Sequence, residues 1–139
     1  MDAITISRTG LDVEWRRMEV IALNLANVNS GRGADGASYH PLRLVSGPAE
    51  SFRAVLDGQQ QPGGVRVYGV EPNGAGMRRV YEPSHPQADA DGFVSYPNIS
   101  HAEEMTLMVK TARAYEANLV ALAAAQQIYS SALQIGKQA

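Results

Sequence analysis

Mostly apolar side chains recur at alternating intervals of three and four positions over residues 105–133, near the end of the chain. This spacing aligns them along one face of an α-helix and is typical of the a and d positions of a coiled coil. Ser100 and Glu103 form a capping-box pair at its start. We therefore predict a helix over 100–135, roughly 54 Å long at 1.5 Å per residue. Its seam comprises Met105, Met108, Ala112, Tyr115, Leu119, Leu122, Gln126, Tyr129 and Leu133.

A second apolar line lies near the start of the chain and predicts a helix over residues 2–29. Gly10 interrupts it, and glycine costs about 1 kcal/mol relative to alanine inside a helix. We therefore expect a loosened first turn. Two long helices at opposite ends of one chain would most simply pair with each other. The N-terminal seam comprises Ile4, Leu11, Trp15, Met18, Ala22 and Leu25.

Between these helices the chain is rich in residues that break regular structure. All seven prolines lie between Pro41 and Pro97, and eleven of the thirteen glycines lie between Gly31 and Gly92. Apolar segments bounded by these residues predict short strands, of which the alternating segment 65–70 is typical of a half-buried strand. The predicted strand segments are 38–40, 42–45, 65–70, 77–81 and 93–94.

These patterns predict an α+β fold in which long N- and C-terminal helices pack as an antiparallel coiled coil beside a small β-rich middle domain. The domain prediction is a discontinuous helical domain, 1–30 and 100–139, and a β-rich domain, 31–99. The central part of the C-terminal helix, 117–125, is apolar on nearly every side. Such a helix must be buried on several sides, which favours packing between subunits.

Composition removes several classes of function. The 139 residues include 12 basic and 14 acidic side chains, for a net charge of -2. This balance argues against nucleic-acid binding driven by phosphate neutralisation and against a polybasic membrane-surface protein. Cysteine is absent, which excludes disulfides, thiolate metal sites and cysteine nucleophiles. No apolar run predicts membrane insertion, and the N-terminus lacks the features of a cleaved signal peptide.

Three motifs resemble sites of chemistry and have simpler interpretations. The segment 31–36 matches G-x-G-x-x-G, but a helix precedes it, whereas a dinucleotide site requires a strand. The segment 89–92 resembles part of a calcium loop but lacks the acids that an EF-hand requires, so turn formation explains it better. His85, Asp89 and Asp91 together could hold a metal, and His85 with Asp89 or Asp91 could serve a small enzyme, but no two histidines have metal-ligand spacing. We predict no catalytic residues, no cofactor and no metal.

Three motifs resemble those of a known family. Residues 23–30, Leu-Asn-Leu-Ala-Asn-Val-Asn-Ser, are similar to the A-x-N-L-A-N signature of axial flagellar proteins. Residues 80–99 are similar to the pattern Y-x-P-x-H-P-x-A-D-x-x-G-Y-V, continued by P-N-V. Residues 103–118 are similar to E-E-M followed by R-A-Y-x-A-N. Together they resemble the flagellar basal-body rod proteins, in particular those of the proximal rod, within the rod and hook axial family.

The resemblance implies a structural subunit that stacks helically in the proximal rod. The implied partners are other rod subunits, namely further copies of itself, proximal rod protein B and the distal rod proteins, together with the basal-body adaptor and the export gate. It implies a rod spanning the periplasm and export from the cytoplasm without a cleaved signal.

The two seams and the signature asparagine define the predicted assembly interface. Each helix alone presents apolar surface, so we expect that its folding is completed by neighbouring subunits. A cytosolic coiled-coil adaptor, which would form a discrete dimer or tetramer, is the alternative. The predicted interface residues are Leu11, Trp15, Met18, Leu25, Asn27, Met105, Met108, Tyr115, Leu119, Leu122, Tyr129 and Leu133.

Overall fold

A computed structural model describes residues 2–33, 36–49, 56, 58 and 63–138. In these described residues, two helices flank two small antiparallel sheets, which confirms the predicted α+β class. Within the described part of the chain, no helix is long and apolar enough to cross a membrane. The elements, in chain order, are α1 (Ala3–Ala26), β1 (Leu42–Pro48), β2 (Val65–Pro72), β3 (Met77–Tyr81), β4 (Phe93–Pro97) and α2 (His101–Gln138).

Side chains cap helix α1 at both ends. Asp2 Oδ1 accepts hydrogen bonds from the Thr5 backbone N, at 2.8 Å, and from Thr5 Oγ1, at 2.6 Å. These two bonds, the side-chain one foremost, lower the pKa of Asp2, as expected for a carboxylate capping a helix N-terminus. The helix ends at Ala26, three residues earlier than predicted. Asn27 Nδ2 donates to the Leu23 carbonyl at 2.8 Å, because asparagine side chains compete with the backbone for such carbonyls.

Helix α2 begins where the capping pattern placed it. Ser100 Oγ accepts from the Glu103 backbone N at 3.3 Å, and the Ser100 carbonyl accepts from the Glu104 N at 3.0 Å. The helix continues beyond residue 135, where the prediction ended it, through Gly136 to Gln138. A single glycine inside a helix is tolerated at a cost of about 1 kcal/mol, and the spacing of the seam alone could not distinguish the two outcomes.

Each sheet has only two strands. In one, β1 pairs with β2; in the other, β3 pairs antiparallel with β4, from Met77 opposite Pro97 to Tyr81 opposite Phe93. Every residue of β2 is exposed, whereas its alternating sequence predicted a half-buried strand. Alternation shows that one face of a strand is more apolar than the other, but it does not show that another layer covers that face.

By its internal contacts the chain divides into two compact units. The first comprises Met1–Arg16, Val45–Gly69 and Lys110–Ala139. Within it, the Trp15 and Tyr115 rings lie with centroids 6.2 Å apart. Thr9 Oγ1 accepts from the Val65 backbone N at 3.1 Å, which holds the start of β2 against α1.

The second unit comprises Arg17–Leu44 and Val70–Val109. Its buried side chains come from the end of α1, the start of β1, β4 and the start of α2. Val94 of β4 is 1% exposed and Pro97 is also fully buried, so two buried side chains anchor the strand. The buried apolar residues of this unit are Val20, Ile21, Leu44, Val94 and Ile99, together with Pro41 and Pro97.

Candidate assembly surface

Asn24, in the A-x-N-L-A-N-like signature, is 1% exposed and fully hydrogen-bonded. Its Nδ2 donates to the Leu42 carbonyl at 2.8 Å and to Glu104 Oε1 at 3.2 Å. Its Oδ1 accepts from the Leu42 backbone N at 2.9 Å and from Tyr39 Oη at 2.8 Å. An asparagine amide has two donors and two acceptor positions, so all four are used. This side chain therefore joins α1, the start of β1 and the start of α2.

Two titratable groups are desolvated around Asn24. Burial raises the pKa of Glu104, and the neighbouring Glu103 charge adds to this, while the Asn24 hydrogen bond opposes it. Burial also raises the pKa of Tyr39, with a further contribution from the Glu104 charge. Glu104 Oε2 is buried and has no hydrogen-bond partner among the described residues. The cluster therefore contains one unsatisfied polar atom.

The second motif, residues 80–99, forms the β3–β4 hairpin and a loop that its own side chains hold in place. Asp89 Oδ1 accepts from the backbone N of Asp91, at 3.0 Å, and of Phe93, at 2.9 Å. Asp89 Oδ2 accepts from Arg79 Nη2 at 2.6 Å. These contacts, the Phe93 N–H foremost, lower the pKa of Asp89. Gly92 has φ of 81°, a conformation that favours glycine. Asp89 is thus engaged in shaping the loop.

His85 also has a structural role in this loop. Its Nδ1 accepts from the Gln87 backbone N at 3.1 Å, and its ring lies edge-on to Tyr96 at 6.4 Å between centroids. Tyr96 Oη donates to Glu82 Oε2 at 2.9 Å, and this bond is the main reason that the pKa of Tyr96 is raised. Within the described ranges, no group of three histidine or acidic side chains is arranged to hold a metal ion.

The loop of the second motif is tied to the loop that follows α1. Gln87 Oε1 accepts from the Arg32 backbone N at 2.9 Å, and Gln87 Nε2 donates to the Arg32 carbonyl at 3.0 Å. A β-carbon at Gly31 would meet the Gln87 amide. The absence of a side chain at Gly31 therefore leaves room for the Gln87 amide, which gives this glycine of the G-x-G-x-x-G segment a packing role. Ala34 and Asp35 of that segment lie outside the described residues.

The predicted interface residues occupy a face beside the buried one. On α1, Leu11, Met18, Leu25 and Asn27 are half-buried, and Trp15 is 57% exposed. The fully buried face is rotated by one position and comprises Gly10, Val13, Val20, Ile21 and Asn24.

On α2, by contrast, the two faces share residues. Three predicted residues are half-buried and lie on the least exposed face, and four are exposed. The other positions of the least exposed face are polar or small, and apolar spacing alone does not identify them. The half-buried predicted residues are Met108, Tyr115 and Leu122; the exposed ones are Met105, Leu119, Tyr129 and Leu133. The less exposed face comprises Glu104, Met108, Thr111, Tyr115, Asn118, Leu122 and Ala125.

At Gly10 the sequence pattern predicted a loosened turn, whereas the structure has a close contact between the two helices. A β-carbon there would lie 2.8 Å from Asn118 Oδ1, so the glycine permits Asn118 of α2 to pack on α1. Asn118 Nδ2 donates to the Ala114 carbonyl at 3.1 Å, which fixes the amide. The buried faces could have been identified from a 3,4 spacing that also counts glycine and polar residues. On α1 this spacing runs from Gly10 to Asn24, and on α2 it runs from Glu104 to Asn118.

The second half of α2 combines apolar composition with exposure. Ile128 and Ile135 are each 71% exposed, and Tyr129 and Leu133 are more than half exposed. We call residues 119–137 the open end of α2. In soluble monomers, contiguous apolar surface of this kind marks an interaction site.

Comparison with known proteins agrees with this picture. Residues 90–135 match the family described as flagellar basal body rod FlgEFG protein, C-terminal. The flagellar basal-body rod protein FlgC of Borreliella burgdorferi is 33% identical over 148 aligned positions, covering 96% of this chain and 95% of that protein. The chain belongs to the FlgC family.

Other FlgC proteins are similarly related. That of Bacillus subtilis is 32% identical, with 97% of both chains covered, and that of Salmonella typhimurium is 32% identical, covering 99% of this chain and 98% of its own. As a FlgC-family member the chain is a structural protein of the flagellar basal-body rod. The Asn24 cluster and the β3–β4 loop are thus framework elements of a structural subunit.

Proposed function

We propose that the chain assembles helically through its two terminal helices and forms part of the drive shaft of the flagellum. The observation that carries this proposal is the open end of α2, where most of the large apolar side chains are exposed. Burying apolar surface contributes about 25 cal/mol per Å², so removing this surface from water would strongly favour contact between subunits. The predicted interface residues on both helices provide the faces for that contact.

The packing mode is an antiparallel coiled coil completed by neighbouring subunits. It is supported by Gly10 against Asn118 and Trp15 against Tyr115, since the residue numbers on the two helices run in opposite directions. Residues 1–30 and 100–139 then act together as one discontinuous helical domain, with 31–99 as the β-rich domain.

Folding of the open end is coupled to assembly. Ordering one residue costs about 1–2 kcal/mol of conformational entropy, and an exposed helix end gains little burial in return. Hydrogen exchange on the isolated subunit tests this. Amides of residues 119–137 should exchange much faster than those of 104–111, and equal protection of both segments would contradict the coupling.

The partners follow from the same arrangement. The subunit contacts further copies of itself, proximal rod protein B and the distal rod proteins, and lies near the basal-body adaptor and the export gate. It occupies the part of the rod that spans the periplasm and leaves the cytoplasm without cleavage of a signal. These partners are supported by family membership and by the apolar faces on both helices.

A substitution in the open end tests the proposal. Leu133→Glu, expressed in a strain that lacks the chromosomal gene, should fold but fail to enter purified basal bodies, and swimming should be lost. Gln134→Glu, one position away and also exposed, is the matched control and should be incorporated. Incorporation of Leu133→Glu at the wild-type level would overturn the proposal. A discrete dimer or tetramer that never enters basal bodies would favour the adaptor.

A further inference from the structure

A cavity of about 290 Å³ lies in the second unit beside the Asn24 cluster. Its walls are mainly apolar, contributed by α1, β1 and the start of α2, and Glu104 is the acidic group in its lining. The residues that matter here are Val20, Ile21, Leu44, Leu107 and Glu104, with Arg17 and Arg43 also in the lining.

Glu104 is more than nine-tenths buried, at 8% exposure, and only half of its carboxyl group is satisfied. Oε1 accepts from Asn24 at 3.2 Å, while Oε2 is buried and has no hydrogen-bond partner among the described residues. An unsatisfied buried charged group is strongly unfavourable. Such an atom, in a lining with an opening to solvent, is suited to accept a donor from another molecule.

The lining defines the chemistry of that donor. Apolar walls accommodate an aliphatic stem, and the carboxylate favours a cationic head. Because only one oxygen is open, the point charge of a lysine ammonium suits it better than the bidentate fork of an arginine. Arg43 does not compensate Glu104, because its guanidinium is held by Glu71 at 2.6 Å. Desolvation raises the pKa of Glu104, and a bound cation would offset that penalty.

The chain has two lysines, Lys110 and Lys137. Lys110 is next to Thr111, which is 3% exposed, so it lies in the part of α2 that already packs within this chain. Lys137 is in the last turn of α2, is exposed, and belongs to the open end whose apolar surface the proposed function buries. It is therefore the lysine that assembly would bring to a neighbouring subunit.

We propose that the Glu104 cavity receives Lys137 from a second copy of this chain, with the ammonium group donating to Glu104 Oε2. The inference rests on the proposed function and deepens it, since it names one contact within the helical assembly. Glu104 thereby acts as an acceptor in the assembled state and is unsatisfied in the isolated subunit.

The test is a double-mutant cycle on self-association of the full chain, measured by sedimentation equilibrium up to millimolar concentration. Glu104→Gln and Lys137→Gln should each weaken self-association by about 10-fold or more, as expected for a buried charge pair. The double variant should be no weaker than either single variant. The controls Glu103→Gln and Lys110→Gln each remove a charge of the same sign at another position of α2 and should leave self-association unchanged.

Four results would overturn the inference: a monomeric wild type at all concentrations, unaffected single variants, losses that multiply in the double variant, or equal losses in the controls. Incorporation of Leu133→Glu into basal bodies is measured separately. If that variant is excluded while Glu104→Gln associates like the wild type, the proposed function stands and the Lys137 contact is wrong.

Discussion

The Asn24 cluster and the open end of α2 reverse the usual distribution of polar and apolar groups. Asn24, with a polar side chain, is 1% exposed, whereas Ile128 and Ile135 are each 71% exposed. The cluster tolerates burial because its amide makes four hydrogen bonds, which is the condition for burying polar groups. Among the described residues, the open end has no such compensation. The comparison indicates that the Asn24 amide is satisfied within the subunit, whereas the described residues do not cover the apolar side chains of the open end.

The largest effect is expected at Asn24. Asn24→Ala would leave the Leu42 backbone groups and Tyr39 Oη without their partner, and we expect a loss of unfolding free energy on the order of 3 kcal/mol. Denaturant unfolding followed by circular dichroism measures it. Asn29→Ala is the matched control, since Asn29 is exposed and accepts one bond of 3.3 Å from Arg78. A similar loss in both variants would show that the buried hydrogen bonds of Asn24 contribute no more to stability than the exposed bond of Asn29.

The next effect concerns the two helical glycines. Gly10→Ala would press against Asn118, and overpacking of this kind costs about 1–3 kcal/mol. Gly136→Ala meets nothing within 4 Å and should stabilise by up to about 1 kcal/mol through helix propensity. Thermal unfolding of both variants should shift in opposite directions. Asn118→Ala in the Gly10→Ala background should restore part of the loss, whereas stabilisation by Gly10→Ala alone would contradict the close packing.

A third prediction uses pH to test the unsatisfied atom in the cluster. The folded pKa of Glu104 is raised, so its stabilising contribution is present below the unfolded pKa and is lost as pH rises through the folded value. The wild type should therefore lose stability relative to Glu104→Gln as the pH rises above about 4, the ordinary value for a glutamate. Tyr39 faces the same region, and its raised pKa keeps it protonated while Glu104 titrates. Arg17 and Arg43 also line the cavity beside Glu104. Denaturant unfolding at several pH values measures the difference.

The exposed Glu103→Gln variant is the control for this titration, and its difference from wild type should vary little with pH. If Glu104→Gln also shows no pH-dependent difference, the carboxyl is not desolvated in the folded chain.

The smallest effect on stability is expected at the open end. Leu133→Gln removes an exposed apolar side chain and should change the unfolding free energy of the isolated subunit by less than about 0.5 kcal/mol. Incorporation into basal bodies should nevertheless fall. A large loss of stability in the isolated subunit would show that Leu133 is already buried and would remove the contrast with Asn24.

Much of the fold was accessible from local pattern. The N-cap of α2 at Ser100 and four of the five predicted strands follow from capping and turn chemistry, which act over a few residues. Of the fifth, 38–40, only Ser38 forms an isolated bridge. The exact face that each helix buries was not accessible in this way. The spacing of apolar residues identified seams containing Trp15 and Leu133, but the buried faces run through Gly10, Asn24 and Glu104, whose side chains an apolar search ignores.

The sequence by itself determined the α+β class, the two long helices and, through motifs around Asn24 and His85, the relationship to rod proteins. These depend on local propensity and on residue identity. Tertiary structure alone decided that Gly10 is a point of close packing, that β2 is exposed on both faces, and that Glu104 is buried with one oxygen unsatisfied. Each of these depends on which distant segment lies opposite a residue, and periodicity along the chain does not contain that information.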